Sequence, residues 1–358
     1  MNARMLSRLL VRAALAAIAC MTALGPLARA ADDDAAAQPL PARLSETGLY
    51  VAGSSSEVRA SNVEFAPQYP LWSDGAIKRR WIHLPSGTAV DASQPDAWEF
   101  PRGTRLWKEF SIGRRVETRL IERLGDGSWR FATYVWNENG TDAELAPADG
   151  VELAVAGAPG GRYSVPSRTD CLACHEGTTV PVLGFTTLQL SPDRDPLAPH
   201  ADAARGEPVD LRSLAARGLL GNLPQSLLER PPRIEAATPR ARAALGYLHG
   251  NCGHCHNDTG PLKDLDLALA QPTGASDAGV TRTLPSLLDH TSRYRARGSD
   301  AARRIVAGQP DASILVLRMQ STSPSARMPP LGVQRLDSDA LALIRQWIRD
   351  DVHPPKEP

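Results

Sequence analysis

Between residues 46 and 165 apolar and polar residues alternate in short runs, at 105–110, 115–123 and 129–136, the period-two pattern of half-buried strands. Gly125-Asp126-Gly127 sits between two of these runs as a hairpin turn, and 150–156 reads as a further strand. After 165 the texture changes. A tract rich in Pro and Asp follows, 210–218 and 219–230 read as short helices, and Pro231-Pro232 marks a break. From 233 the period is helical. Thr238-Pro239 supplies an N-cap and a first-turn proline for a helix running through Tyr247 and Leu248 into Cys252. A second helix over about 311–319 carries Ile314, Leu315 and Leu317, and a last one from near Asp337 carries Leu341, Ile344, Trp347 and Ile348. The pattern predicts a multidomain α+β chain. An antiparallel β-rich, sandwich-like domain (46–165) is followed by a segment at 166–232 and an all-α domain at 233–358.

The first 45 residues fit neither period. Arg4, Arg8 and Arg12 precede an apolar run from Ala13 to Leu24, and Ala28-Arg29-Ala30 matches a small-x-small cleavage site. We read 1–30 as an export signal to the periplasm and 31–45, rich in Ala, Asp and Pro, as a mobile leader. The apolar run is too short for an uncleaved anchor. A lipoprotein reading through Cys20 fits less well, because Ala17 stands where a large aliphatic residue is expected. No integral membrane segment is then expected in the mature chain. Lys plus Arg equal Asp plus Glu at 40 each, so no global charge points to nucleic acid or an anionic membrane.

Cysteine usage sharpens this picture. Of five cysteines, Cys20 lies in the signal and the other four form two identical patterns, Cys171-Leu172-Ala173-Cys174-His175 and Cys252-Gly253-His254-Cys255-His256. C-x-x-C-H is the attachment signal for c-type haem: two thiols add across the vinyl groups of one porphyrin, and the following histidine binds its iron. A zinc ribbon would place the pairs roughly 15–20 residues apart, whereas residues 175–251 intervene here, 77 in all. A redox-active disulfide does not require the histidine that follows each pair. Two covalently attached haem c groups are therefore expected, with His175 and His256 as proximal ligands.

Met328 is the candidate for the far side of the second iron. It lies 72 residues after His256, in Arg327-Met328-Pro329-Pro330-Leu331-Gly332, where the prolines stiffen the loop. Its thioether would raise the reduction potential. Met319 competes, but it falls in the apolar stripe of a helix. The first motif has no methionine to match. His200, in a proline-flanked loop, is the first choice for its distal ligand; His249, His254, His290 and His353, or an open iron, are the alternatives. An open position would suit a dihaem peroxidase-like enzyme reducing a small oxidant. Trp72, Asp74, Lys78, Arg79, Arg80 and Trp81 read either as a binding surface or as the core and rim of the β domain. That domain could also be a docking module whose removal leaves both haems intact. The arginines 293, 295, 297, 303 and 304 read as a solvated loop, or as a patch that steers an acidic redox partner protein.

Residues 238–350, with the second motif, the Met328 loop and the Trp347 helix, resemble the class I cytochrome c family. The larger layout, with Tyr69-Pro70-Leu71-Trp72-Ser73-Asp74-Gly75-Ala76, is similar to exported proteobacterial dihaem cytochromes. The resemblance implies periplasmic electron carriage, covalent haem at Cys171, Cys174, Cys252 and Cys255, and a cytochrome c-like helical region. The first haem segment departs from the class I pattern, because no Met-Pro loop follows it.

Overall fold

The computed structural model describes residues 39–202, 209–273, 278–288, 290–296 and 302–353. The expected signal, most of the leader and Arg297 lie outside them. The chain is a mixed α+β protein: an antiparallel sheet region comes first and a mostly helical part follows. Among the described residues no helix is long and apolar enough to cross a membrane.

The strands are β1 (Val63–Glu64), β2 (Ile77–His83), β3 (Val90–Asp91), β4 (Arg105–Ile112), β5 (Arg114–Arg123), β6 (Trp129–Trp136), β7 (Ala143–Leu145), β8 (Val151–Ala154), β9 (Arg162–Val165) and β10 (Leu220–Gly221). Six of them form one antiparallel sheet in the order β1-β2-β4-β5-β6-β7; β8 pairs with β9, and β10 with β3. The three alternating runs are its central strands. The turn after β5 closes with Leu124 N–H on Ser128 O and Gly127 N–H on Leu124 O, and Gly127 has φ 90°, a backbone that glycine adopts without strain.

Alternation gives the sheet two different faces. One buries Trp81, Trp107, Leu120, Tyr134 and Trp136 against Leu44, Leu49 and Tyr50. The last stretch of the expected leader is therefore part of the fold: Leu44 is fully buried, and Leu145 donates its N–H to Ala42 O. The other face buries Ile82 and Leu106 with Phe65, Trp98, Phe100, Val182, Phe185 and Leu190. Here the expected sandwich gives way to a single six-stranded sheet. Its opposite layer is irregular chain from the 166–232 segment, so that segment shares a core with the sheet.

The helices are α1 (Arg168–His175), α2 (Leu211–Ala216), α3 (Gln225–Glu229), α4 (Pro239–Asn251), α5 (Ala278–Leu287), α6 (Ile314–Met319) and α7 (Ser338–Asp350). Thr238 caps α4 as expected, its Oγ1 accepting Ala241 N–H, and Asp337 caps α7 by accepting Ala340 N–H. Tyr247 and Leu248 of α4 share a buried cluster with Ile344, Trp347 and Ile348 of α7. Burial of each such large side chain contributes roughly 1.5–3 kcal/mol, so this crossing is what fixes the approach of α4 to Cys252. The 219–230 tract is not one helix. Asn222 has φ 57°, which ends β10 before α3 begins.

The two parts of the fold are joined by the tract around Tyr69. Tyr69 lies in a notch of α4 made by Gly246 and Gly250: a Cβ on Gly246 would stand 2.0 Å from the Tyr69 ring, and one on Gly250 2.3 Å from Tyr69 O. Trp72 N–H donates to Asn251 Oδ1, one residue before the second motif. Asp74 accepts from the backbone N–H groups of Gln334 and Arg335, just past the Met328 loop.

Candidate functional site

The first motif is helical. Ser167 and Asp170 form a reciprocal cap on α1, with Asp170 N–H on Ser167 Oγ at 3.1 Å and Ser167 N–H on Asp170 Oδ2 at 3.0 Å. Cys171, Cys174 and His175 then fall at i, i+3 and i+4, on one face of the helix. The second motif follows the end of α4 in tight turns, with Cys255 N–H and His256 N–H both donating to Cys252 O. This turn brings Cys252, Cys255 and His256 together much as α1 does its own three residues.

The two motifs, whose cysteine pairs have the 77 residues 175–251 between them, are packed on each other. Cys255 Sγ lies 3.9 Å from Ala173 O. Gly177 stands so close to the second motif that a Cβ there would be 2.4 Å from His254 O. Asn257 staples them: its Nδ2 is within hydrogen-bond distance of Gly177 O (2.8 Å), Gly253 O (2.9 Å) and His254 O (3.1 Å). Its Oδ1 accepts from Thr259 N–H and Gly260 N–H. The contact between the Cys174 and Cys255 side chains lowers the pKa of the first thiol and raises that of the second.

All four cysteines are free and half-buried. Each histidine keeps a nitrogen suited to a metal. His175 Nδ1 stands 2.6 Å from Pro181 O; a carbonyl only accepts, so Nδ1 carries the proton and Nε2 keeps its lone pair. Burial pushes the His175 imidazole down to about 4, so it is neutral at neutral pH. Burial likewise takes His256 to about 4, with the Arg318 charge adding to the effect, and its buried Nδ1 has no partner among the described residues. No group of three or more His, Cys, Asp or Glu converges among the described residues as a directly ligated metal ion would need. Two free thiols and one neutral imidazole per motif fit a porphyrin held by thioethers and one axial nitrogen better than a Cys₄ zinc site.

Met328 sits on a loop fastened to α6. Its N–H donates to Arg318 O at 3.1 Å, and Arg318 Nε donates to Ala326 O at 2.9 Å. The charge of Arg318 is close enough to act on His256, so the loop is held on the His256 side of the fold. Met319, the competitor, packs against the α4–α7 core. His200 is engaged elsewhere. Its Nε2 lies 2.8 Å from Asp337 Oδ1, its ring centroid is 6.2 Å from that of Trp72, and Tyr247 OH donates to the other oxygen of Asp337. His249 Nδ1 accepts Gln271 N–H, His290 and His353 are exposed, and His254 acts on the Cys174 thiol.

The remaining sequence candidates separate by face. Arg79 and Trp81 lie on the Trp-rich side of the sheet, where Arg79 pairs with Glu64 and stands over the Trp81 ring. Lys78 and Arg80 are buried on the opposite side. Trp72 and Asp74 are neither core nor open surface; they tie the sheet region to the second motif and to the Met328 loop. Of the basic tract, Arg293 and Arg304 are spent on backbone carbonyls, Arg293 on Asp264 O and Arg304 on Asp266 O and Ser286 O. Comparison with family models, curated proteins and solved structures returned no match to the chain.

Proposed function

We propose that this chain is a periplasmic dihaem c-type cytochrome that passes electrons to or from a redox partner protein. Haem c would be covalently held at Cys171 and Cys174 and at Cys252 and Cys255. The observation that carries the reading is the direct packing of two C-x-x-C-H motifs, stapled by Asn257. Haem bound there supplies two one-electron redox centres. The chain's own residues do the rest. His175, its Nδ1 fixed on Pro181 O, would hold one haem iron through Nε2; His256 would hold the other; and Met328, on the loop anchored to Arg318, would supply a thioether to the second haem. Tyr247, Ile344 and Trp347 of α4 and α7 form the apolar cluster on which Cys252 packs, and it would keep water from that site.

The test begins with the mass of the exported protein, which should exceed the polypeptide by two haems and show a Soret band. Redox titration should then resolve two potentials, the higher lost in Met328→Ala. A bare polypeptide mass, or a single transition indifferent to Met328, refutes the proposal.

One observation favours a second reading. With His200 Nε2 on Asp337, no described histidine or methionine is assigned to the far side of the first iron. A small oxidant such as peroxide could then bind there, as in a dihaem peroxidase-like enzyme. An oxidised spectrum with a high-spin component that shifts on adding cyanide would support this, and a purely low-spin protein would exclude it. If the protein is low-spin throughout, His200 itself is the first residue to substitute.

A further inference from the structure

The sheet face turned toward the first motif carries a row of cations. Strand pairing sets Arg80 opposite Lys108 and Lys108 opposite Arg119, so the three share a face. Lys78, two residues before Arg80, lies on it as well. The row spans two strand spacings, about 10 Å. Phe131 belongs to the same face, since it is two residues from Thr133, the partner of Arg119. Its ring centroid stands 5.2 Å from that of His175. The charges of Lys108 and Arg119 both act on His175, and that of Arg119 also on Cys171.

The anions do not balance this row. Asp202 pairs with Arg80 at 2.5 Å, and Glu117 pairs with Arg119. Lys78 Nζ donates to Leu71 O at 2.8 Å, which is a hydrogen bond without a charge. Lys108 Nζ lies 4.9 Å over the Phe110 ring and, among the described residues, has no hydrogen-bond or ion-pair partner. Within the row four cations meet two paired carboxylates, an excess of two positive charges, with Asp337 acting on Lys78 from farther off. Lys78 and Arg80 are only 6% and 5% exposed, so water does little to screen them. Lys108 itself is only partly exposed, and a charge with little water and no counter-ion is costly to hold until an opposite charge meets it. Burial accordingly pushes the Lys78 ammonium down to about 8 and that of Lys108 well below its usual range.

We infer that this row, with Lys108 at its centre, is the seat of the carboxylates of the first porphyrin, so that the N-terminal sheet forms one wall of the first haem site. The inference rests on the dihaem reading. A haem brings two propionates, whose two negative charges equal the excess on the row. Arg80 and Arg119 already hold Asp202 and Glu117, so Lys108 and Lys78 are the cations left to meet the propionates. The sheet is thereby part of the redox site, which a detachable docking module would not be.

The experiment uses the holoprotein with Lys108→Met, Lys108→Gln and Lys108→Arg, and reads haem content by mass, spin state by spectrum and both midpoint potentials. Loss of a cation favours the ferric state. A unit charge acting across about 12 Å at an effective dielectric of about 20 changes a one-electron equilibrium about tenfold. That is a fall of about 59 mV for a one-electron couple. Lys108→Met and Lys108→Gln should lower one potential by this amount and leave the other in place, while Lys108→Arg should restore it. Two unmoved potentials overturn the inference. So does conversion of one ferric haem to high spin that Lys108→Arg fails to reverse, because Lys108 would then be an axial ligand. A bare polypeptide mass in the unsubstituted protein overturns the dihaem reading and this inference with it, and the mass measurement separates that case from the other two.

Discussion

Asn257 offers the sharpest test of the paired motifs, because one side chain reaches both. Asn257→Ala deletes a donor shared among Gly177 O, Gly253 O and His254 O, and an acceptor for Thr259 N–H and Gly260 N–H. The amide has two hydrogens, so two of the three short donor contacts count as full bonds. Each net hydrogen bond contributes about 0.5–1.5 kcal/mol, and the exposed turn bonds to Thr259 and Gly260 are partly recovered by water. The expected loss is about 2–4 kcal/mol. Asn257→Asp keeps the acceptor and the shape but sets a carboxylate against three carbonyl oxygens, so its loss should be at least as large. Urea unfolding of the holoprotein, followed by tryptophan fluorescence, measures both. Losses under about 0.5 kcal/mol, or an Asp variant milder than the Ala variant, would refute the staple.

Three further outcomes follow from the geometry. Gly246→Ala drives a methyl into the Tyr69 ring and should destabilise by about 1–3 kcal/mol as overpacking does; thermal melts of the variant beside the unsubstituted protein check it. Burial holds His249 down to about 4, below its ordinary 6.5, with Nδ1 accepting Gln271 N–H. The unfolded chain therefore binds a proton that the folded one refuses between those values, and stability is full above pH 6.5 and falls as pH drops toward 4. In His249→Gln that portion of the acid limb should flatten in urea titrations from pH 4 to 7. Asp74→Ala frees Gln334 N–H and Arg335 N–H behind the Met328 loop. It should weaken the thioether contact, read as a fall in the higher midpoint potential, with the lower one unchanged.

The central strands were legible because 105–110, 115–123 and 129–136 mix apolar with polar residues in short runs split by turn residues, and α4 and α7 because their caps and apolar stripes agree. What covers the sheet was not. Val182, Phe185 and Leu190 are buried from chain with no regular period, so no pattern announced a second layer and a sandwich was inferred in its place. α5 contains Pro285, which argues against a helix when read locally. The identity of each motif residue was plain in the pentapeptides. Their mutual contact was invisible, since it depends on Gly177 and Asn257 meeting across the fold. Arg80 stood among the candidates for a binding surface, but Lys108 and Arg119 looked like ordinary polar positions of half-buried strands, and only the strand register lined the three up.

The notch that receives Tyr69 has a consequence for how this chain can change over time. Positions 246 and 250 accept nothing larger than glycine while an aromatic ring occupies position 69, and a smaller residue at 69 would leave a hole beside α4. Substitutions at these three places should travel together among descendants of this sequence, although some 180 residues separate them. A helical half transplanted without its tyrosine would carry a groove along α4 with nothing to fill it.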